Sequence, residues 1–137
     1  MKKLTLLFIC AISTLVACKK HDAERNIDRL IGRWSVESVA YVQYENGVEK
    51  EREKFSDLSM AWEFRNNSTA TVNFDSGDQE VTWVATKNTL QITSGEAKID
   101  FQISSLTKNY MHVIFENHTE TRNGIVYKET IEFKLRK

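Results

Sequence analysis

Leu30-Ile31-Gly32-Arg33-Trp34-Ser35-Val36 is the stretch of the sequence at which one structural pattern ends and another begins. Before it, Ile27, Leu30 and Ile31 stand at helical spacing, and Asp22 is in place to cap the first turn. After Gly32, apolar and polar residues alternate up to the C-terminus, which is typical of β-strands that bury one face. The sequence therefore predicts a short helix followed by an all-β fold.

Regularly spaced turn residues divide the chain after Trp34 into eight strands. If successive strands run antiparallel, every glycine turn falls at the end far from Trp34 and every asparagine turn at the near end. An even number of strands allows the last to pair with the first, which removes both exposed edges. We therefore predict an eight-stranded antiparallel up-and-down β-barrel with a short N-terminal helix. The turns are Asn46-Gly47, Asn66-Asn67, Ser76-Gly77, Lys87-Asn88, Ser94-Gly95, Lys108-Asn109 and Asn123-Gly124.

The alternation also predicts which side chains face the barrel interior. In the first strand these are Trp34, Val36, Ser38, Ala40 and Val42, which share one parity. The smaller interior side chains would leave space for a ligand, and they are Ala40, Val72, Ile92 and Val113.

The first connection between strands is unusually charged. It contains Val48-Glu49-Lys50-Glu51-Arg52-Glu53-Lys54, in which the sign of the charge alternates. This pattern favours a solvated extended arm or hairpin. A lid over the barrel mouth is the alternative, because long loops in compact domains are often functional.

The first residues have the pattern of a secretory signal peptide. Lys2 and Lys3 form a basic start, and an apolar run from Leu4 to Val16 follows. The run ends in Leu15-Val16-Ala17-Cys18, which resembles the lipobox of bacterial lipoproteins. The resemblance implies cleavage before Cys18 and acylation of that residue by chains such as palmitate, whereas an ordinary secreted protein with an accidental Cys is the alternative. The predicted organisation is a signal peptide (1–17), a lipidated tether (18–26) and a barrel domain (27–137).

Processing at this site changes the charge and the cysteine content of the chain. Loss of Lys2 and Lys3 leaves 17 basic against 19 acidic residues, a net charge of −2, which argues against nucleic-acid binding. Cys10 is removed with the signal peptide and Cys18 is acylated. The mature chain is then expected to have no disulfide, thiolate metal site or catalytic cysteine.

The eight-strand rhythm and Gly32-Arg33-Trp34, a G-x-W triplet, resemble the lipocalin superfamily, in particular small lipocalin-like lipoproteins of Gram-negative envelopes. The resemblance implies a barrel that holds a small apolar molecule, with Trp34 closing one end and Arg136 packing over its ring. Thr107-Lys108-Asn109-Tyr110 is only a loose echo of the T-D-Y motif that lipocalins often carry. The expected protein is a lipid-anchored monomer of the cell envelope, held through Cys18, with Lys19 weakly favouring the outer membrane.

Two functions remain open at this stage. The first is binding or carrying a small hydrophobic molecule, a lipid or fatty acid, inside the barrel. The second is a solid-cored barrel that acts as a protein-interaction or inhibitor module, because an eight-stranded barrel is only just wide enough for side chains to fill it or to hold one small ligand. The candidate ligand-binding residues are Met60, Val72, Phe74, Trp83, Ile92, Phe101, Val113, Phe115 and Tyr127.

Catalytic and metal motifs give little support to other functions. The sequence contains no G-x-S-x-G, H-E-x-x-H or phosphate-binding glycine loop, so we expect no enzyme and no cofactor. His112, Glu116 and His118 share one strand parity and could bind zinc. An exposed polar face is the favoured interpretation of these three residues, and no metal site is predicted.

Overall fold

The computed structural model describes residues 23–74 and 76–137. A helix, α1 (residues 23–30), is followed by nine strands. Cys18, Asp22 and the predicted signal peptide lie outside the described residues. Within the described part of the chain, no helix is both long and apolar enough to cross a lipid bilayer. The strands are β1 (Gly32–Glu45), β2 (Val48–Ser56), β3 (Ala61–Phe64), β4 (Thr69–Asn73), β5 (Asp78–Ala85), β6 (Thr89–Ser94), β7 (Ala97–Leu106), β8 (Tyr110–Arg122) and β9 (Ile125–Arg136).

The strands form one closed antiparallel barrel. Each strand from β3 to β8 pairs with the strand that follows it, and β9 pairs back onto β1. Strands β2 and β3 occupy one edge of β1 in succession: β3 pairs with Gly32–Ser35, and β2 pairs with Ser38–Glu45. They act as one barrel strand, interrupted near Asp57, where φ is +60°. This confirms the predicted eight-stranded barrel.

The two ends of the barrel differ as the order of turns predicts. The glycine turns lie at one end, called the mouth, and the asparagine turns lie at the other, called the closed end, together with α1 and the C-terminus. Both residues of Asn46-Gly47 and of Asn123-Gly124 have positive φ, as two-residue hairpin turns between twisted strands require.

Trp34 is the plug of the closed end. Its side chain is fully buried, and its Nε1 donates a hydrogen bond of 2.7 Å to the carbonyl of Leu30 at the end of α1. The Nζ of Lys137 lies 4.7 Å from the centre of the Trp34 ring and donates to the carbonyls of Arg29 and Ile31. Gly32 allows this approach, because its φ is +122° and a Cβ there would lie 3.2 Å from Lys137 Cε.

The cation that packs over the Trp34 ring is Lys137, and the expectation that it would be Arg136 is wrong. Arg136 lies at the closed end, but its Nε donates to Glu37 and its guanidinium lies 5.7 Å from the centre of the Tyr110 ring. Adjacent side chains of a strand point to opposite faces, so Arg136 is directed outward and the terminal Lys137 reaches the ring instead.

A bulge in β1 changes which of its side chains face the barrel interior, so part of the predicted interior is wrong. The pairing of β1 with β9 shifts between Val36 and Ser38. Beyond this point the parity reverses, so that Val39 faces the interior and Ala40 lies on the outer face. Ser38 and Val42, also expected inside, share that outer face with Ala40.

Contacts between α1 and the barrel begin before the expected domain boundary at residue 27. Asn26 in α1 is 7% exposed, and its Nδ2 donates to the carbonyls of Thr86 and Lys87 at 3.0 and 2.8 Å. These bonds fix the helix against an asparagine turn, so the first turns of α1 belong to the barrel domain and not to the tether.

Trp34→Ala is expected to destabilise the domain by about 3–5 kcal/mol. It removes the largest buried side chain of the closed end and leaves the Leu30 carbonyl without its partner. Urea unfolding followed by circular dichroism measures the loss. The control is Val84→Ala, at a side chain that is 60% exposed, which is expected to change stability by less than about 0.5 kcal/mol. Equal stabilities of the two variants would contradict the assigned role of Trp34.

Candidate functional site

The interior of the barrel is filled near the closed end and hollow near the mouth. The hollow part is a cavity of about 430 Å³ that opens between the glycine turns. Its wall is apolar apart from one phenol hydroxyl, that of Tyr41. The lining residues are Val39, Tyr41, Phe55, Leu58, Met60, Phe74, Ile99, Phe101, Phe115, Ile131 and Phe133.

An aromatic cluster forms the floor of the cavity. Trp62 is fully buried, and its ring centre lies 5.2–5.7 Å from those of Phe74, Phe101 and Phe133, which line the cavity above it. The Trp62 Nε1 donates to the carbonyl of Asn73 at 3.1 Å. Edge and tilted ring contacts of this kind hold a rigid surface, so the floor is formed before any ligand arrives.

One side of the cavity is much taller than the other. The three longest strands, β1, β8 and β9, together with β2, which pairs with the mouth half of β1, form this side, and we call these four strands the tall wall. Directly paired residues on antiparallel strands share a face, so cross-strand rows describe its inner surface. The row at the cavity is Glu53, Tyr41, Ile131 and Phe115.

The next row toward the mouth is polar and contains two carboxylates. It consists of Glu51, Gln43, Glu129 and His118. Glu51 and Glu129, with Glu53 one row below, are called the acidic rim. No ion pair of these three carboxylates is formed with any residue that the structure describes. The inner surface of the tall wall therefore changes from apolar to negatively charged over a few residues.

The ring of Tyr41 marks the upper edge of the apolar surface. It meets Phe55 edge-on, with ring centres 5.9 Å apart, and the two side chains are 49% and 41% exposed. Two aromatic rings at the opening of a cavity are left in contact with water. A ligand that fills the cavity would cover them.

The outer face of the tall wall carries a buried carboxylate. Glu132 is 5% exposed and accepts hydrogen bonds from Arg52 at 2.9 Å and from Tyr44 at 3.4 Å, and its Oε2 lies 3.3 Å from His112 Nε2. Burial alone would raise the pKa of Glu132, but the Arg52 guanidinium and His112 outweigh burial and hold it below its ordinary value. Burial and the Glu132 charge raise the pKa of Tyr44. These contacts tie β2 to the barrel.

The charged segment that precedes Phe55 is part of β2. All nine residues of this strand are exposed, and it forms a hairpin with β1 along the tall wall. The structure thus has the arm or hairpin that the charge pattern favours.

The predicted ligand-binding residues fall into three groups. Met60, Phe74, Phe101 and Phe115 line the cavity. Tyr127 lies beyond the cavity toward the mouth, paired with Glu45 and Glu120, and the Arg122 guanidinium is 5.1 Å from its ring. The remaining four belong to the packed core and do not line the cavity, and they are Val72, Trp83, Ile92 and Val113.

Seven cavity residues were not among the sequence candidates. Ile99 stands at the correct parity in β7 and could have been found from its alternation. Val39 and Tyr41 face inward because of the bulge in β1. Phe55 and Leu58 flank the interruption between β2 and β3, where no periodic signal exists. Ile131 and Phe133 stand at the correct parity in β9 and could have been found from its alternation.

The lipocalin-like domain family matches residues 30–113. The match covers more than half of the chain, from the end of α1 into β8. The chain belongs to this family. No curated protein and no solved structure matches it.

In this lipocalin-like domain, the strands that close the barrel lie largely beyond the matched region. Most of β8 and all of β9 follow residue 113. They supply Phe115, Ile131 and Phe133 to the cavity and Glu129 to the acidic rim. The family match therefore supports the fold, and the cavity wall includes parts of this chain outside the match.

His112, Glu116 and His118 do not lie on one face. The pairing of β8 with β9 shifts between Glu116 and His118, and this bulge turns His118 to the inner surface. His112 contacts Glu132, while Glu116 accepts from Thr119 and pairs with Lys128. Among residues 23–74 and 76–137, no group of three His, Cys, Asp or Glu side chains could hold a metal ion.

Glu132→Gln is expected to lower stability by about 1–3 kcal/mol at neutral pH, because the buried ends of Arg52 and His112 lose their charged partner. The folded pKa of Glu132 lies below its ordinary value of 4.5, so the stabilisation is complete above pH 4.5 and is lost as the pH falls through the folded pKa. Urea unfolding from pH 7 to pH 3 should show the difference from the unmodified protein shrinking below pH 4.5.

Glu96→Gln is the matched control, since Glu96 is exposed in a glycine turn. It is expected to leave stability unchanged across the same pH range. A Glu132→Gln protein as stable as this control at pH 7 would show that the buried carboxylate does not stabilise the tall wall.

Proposed function

We propose that this lipocalin-like domain binds and carries a small hydrophobic molecule in the cavity at its mouth. It would act as a binding protein and not as an enzyme, and as a monomer. The observation that carries the proposal is the open cavity of about 430 Å³, whose wall is apolar except for the Tyr41 hydroxyl. Ligand pockets of small-molecule carriers typically occupy ~300–1,000 Å³ and are lined mainly by apolar and aromatic side chains.

The alternative function, an interaction module built on a solid barrel, has less support. It needs side chains that fill the interior, and only the half below Trp62 is filled. The exposed rings of Tyr41 and Phe55 at the opening also favour a molecule that enters the cavity.

The charge of the acidic rim favours some ligand head groups over others. An apolar tail in the cavity places its head group near Glu51, Glu53 and Glu129. The negative charges repel a carboxylate head and attract a cationic one. We therefore propose a neutral or cationic amphiphile in preference to a fatty acid.

Three amphiphiles with the same tail separate these possibilities: dodecylamine, dodecanol and dodecanoate, each titrated by calorimetry below its micelle concentration. Dodecylamine is expected to bind roughly tenfold more tightly than dodecanoate at low salt, with dodecanol between them. Dodecanoate as the tightest ligand would overturn the head-group assignment alone. No binding of any of the three, together with no ligand on protein gently extracted from membranes and analysed by native mass spectrometry, would overturn the carrier function.

A pair of variants tests whether the cavity is the site. Ile99→Trp places a large ring in the cavity and is expected to weaken dodecylamine binding at least tenfold. Val84→Trp adds the same ring at an exposed position and is expected to leave binding unchanged. Equal affinities of the two variants would place the ligand elsewhere.

We further propose that the protein is an outer-membrane lipoprotein of a Gram-negative cell envelope, anchored by acyl chains on Cys18. The support is the order of basic start, apolar run and Leu15-Val16-Ala17-Cys18 in the sequence. More than one acyl chain is needed for stable anchoring, because each buried methylene contributes only about 0.8 kcal/mol.

Cys18→Ala is expected to abolish labelling by radioactive palmitate and to leave a soluble or unprocessed protein on fractionation. The unmodified protein should be labelled and recovered with the membranes. Recovery of a fully processed Cys18→Ala protein in the membrane fraction would rule out the anchor.

A further inference from the structure

The closed end carries a second hollow, separate from the apolar cavity and opposite in character. Its volume is about 230 Å³, and it lies between α1, the Lys87-Asn88 turn and the end of β7. Three cationic side chains surround it. The lining residues are Arg25, Asn26, Arg29, Lys87, Asn88, Ile103, Ser104, Ser105 and Leu106.

The chemistry of this hollow fits a phosphate group. Among its described lining residues there is no Asp or Glu, and the two acidic residues of α1, Glu24 and Asp28, do not line it. The Asn88 amide and the hydroxyls of Ser104 and Ser105 add neutral groups that can donate hydrogen bonds to an anion. Guanidinium groups suit phosphate oxygens because they offer several N–H donors in one plane.

Hydrogen bonds hold the basic elements of the hollow together. Asn26 joins α1 to the turn through the carbonyls of Thr86 and Lys87. Arg29 donates one N–H to the carbonyl of Leu106 at 3.3 Å, which fixes its guanidinium at the rim. The cations are thus brought together by the fold and are not scattered along the surface.

Other cations lie at the same end. Lys137 packs over Trp34. Burial is the main cause that lowers the pKa of Lys137, and the charge of the nearby Lys108 lowers it further. The mouth, by contrast, carries the acidic rim. The domain therefore has a negative mouth and a positive closed end.

We propose that the closed end docks on a membrane of anionic phospholipids, with lipid phosphates held between Arg25, Arg29 and Lys87. The position of the chain supports this occupant. Only four residues lie between Cys18 and Ala23 at the start of α1, so the five steps from Cys18 to Ala23 reach about 18 Å when fully extended. This step rests on the proposed acylation, which would hold the basic end at the lipid surface and point the mouth away from it.

Vesicle binding tests the docking surface without the acyl anchor. A chain that begins at Lys19 keeps α1 and every strand of the closed barrel, so it retains the whole fold. It is mixed with vesicles of phosphatidylcholine alone or of phosphatidylcholine and phosphatidylglycerol at low salt. Binding is expected only to the anionic vesicles, and it should fall as salt screens the charges.

Two triple variants with equal charge separate a specific surface from general attraction. Arg25→Gln/Arg29→Gln/Lys87→Gln is expected to weaken vesicle binding about a hundredfold, since each cation near an anionic surface strengthens binding about fivefold. Lys50→Gln/Lys54→Gln/Lys98→Gln removes three exposed cations away from the closed end and should retain the binding of the parent chain. Near-ultraviolet circular dichroism checks that both are folded.

Failure of the parent chain to bind anionic vesicles, or equal losses in the two variants, would overturn the docking surface. Neither result bears on the apolar cavity or on Cys18, because the experiment uses neither. The proposed carrier function and the proposed anchor are therefore tested independently of the docking surface.

Discussion

The backbone pairing of β1 is the interaction on which the rest of the structure depends. This strand pairs with β9 along one edge and with β3 and then β2 along the other. Its first half carries Trp34 and Val36 into the packed core, and its second half, beyond the bulge, carries Val39 and Tyr41 to the cavity. One strand thus closes the barrel and joins its solid half to its hollow half.

The number and direction of the strands could be predicted because they depend on local signals. Turn residues such as Asn46-Gly47 and two-residue alternation are properties of short segments, and the closed barrel follows from the even number of strands that they delimit. Bulges are different, because an extra residue is accommodated only when the strand is paired. The bulge in β1 reversed the predicted parity of Ala40, and that in β8 separated His118 from His112. The interchange of Arg136 and Lys137 at Trp34 has a different origin, since the expectation for Arg136 came from the family resemblance, whereas alternation along β9 directs Arg136 outward.

Only part of the candidate site could be predicted from the sequence. Alternation identifies the face of a strand that a side chain occupies, but it contains no information on height along the barrel. Val113 and Phe115 both face inward from β8, yet Phe115 borders the cavity and Val113, two residues nearer the closed end, lies in the core. The height at which packing ends depends on the volumes of all facing side chains together, with Trp62 and its neighbouring rings at the boundary.

The free edge of β2 has a consequence for the behaviour of the protein at high concentration. Within the described chain, β2 pairs only with β1, so its outer edge leaves backbone donors and acceptors open to another strand. Such edges recruit other chains and begin aggregates unless the sequence prevents it. The unbroken run of charged residues from Glu49 to Lys54 makes a foreign strand a poor neighbour there. These charges favour a solvent-exposed β2 and disfavour its pairing with another chain. The opening of the apolar cavity beside β2 therefore stays accessible.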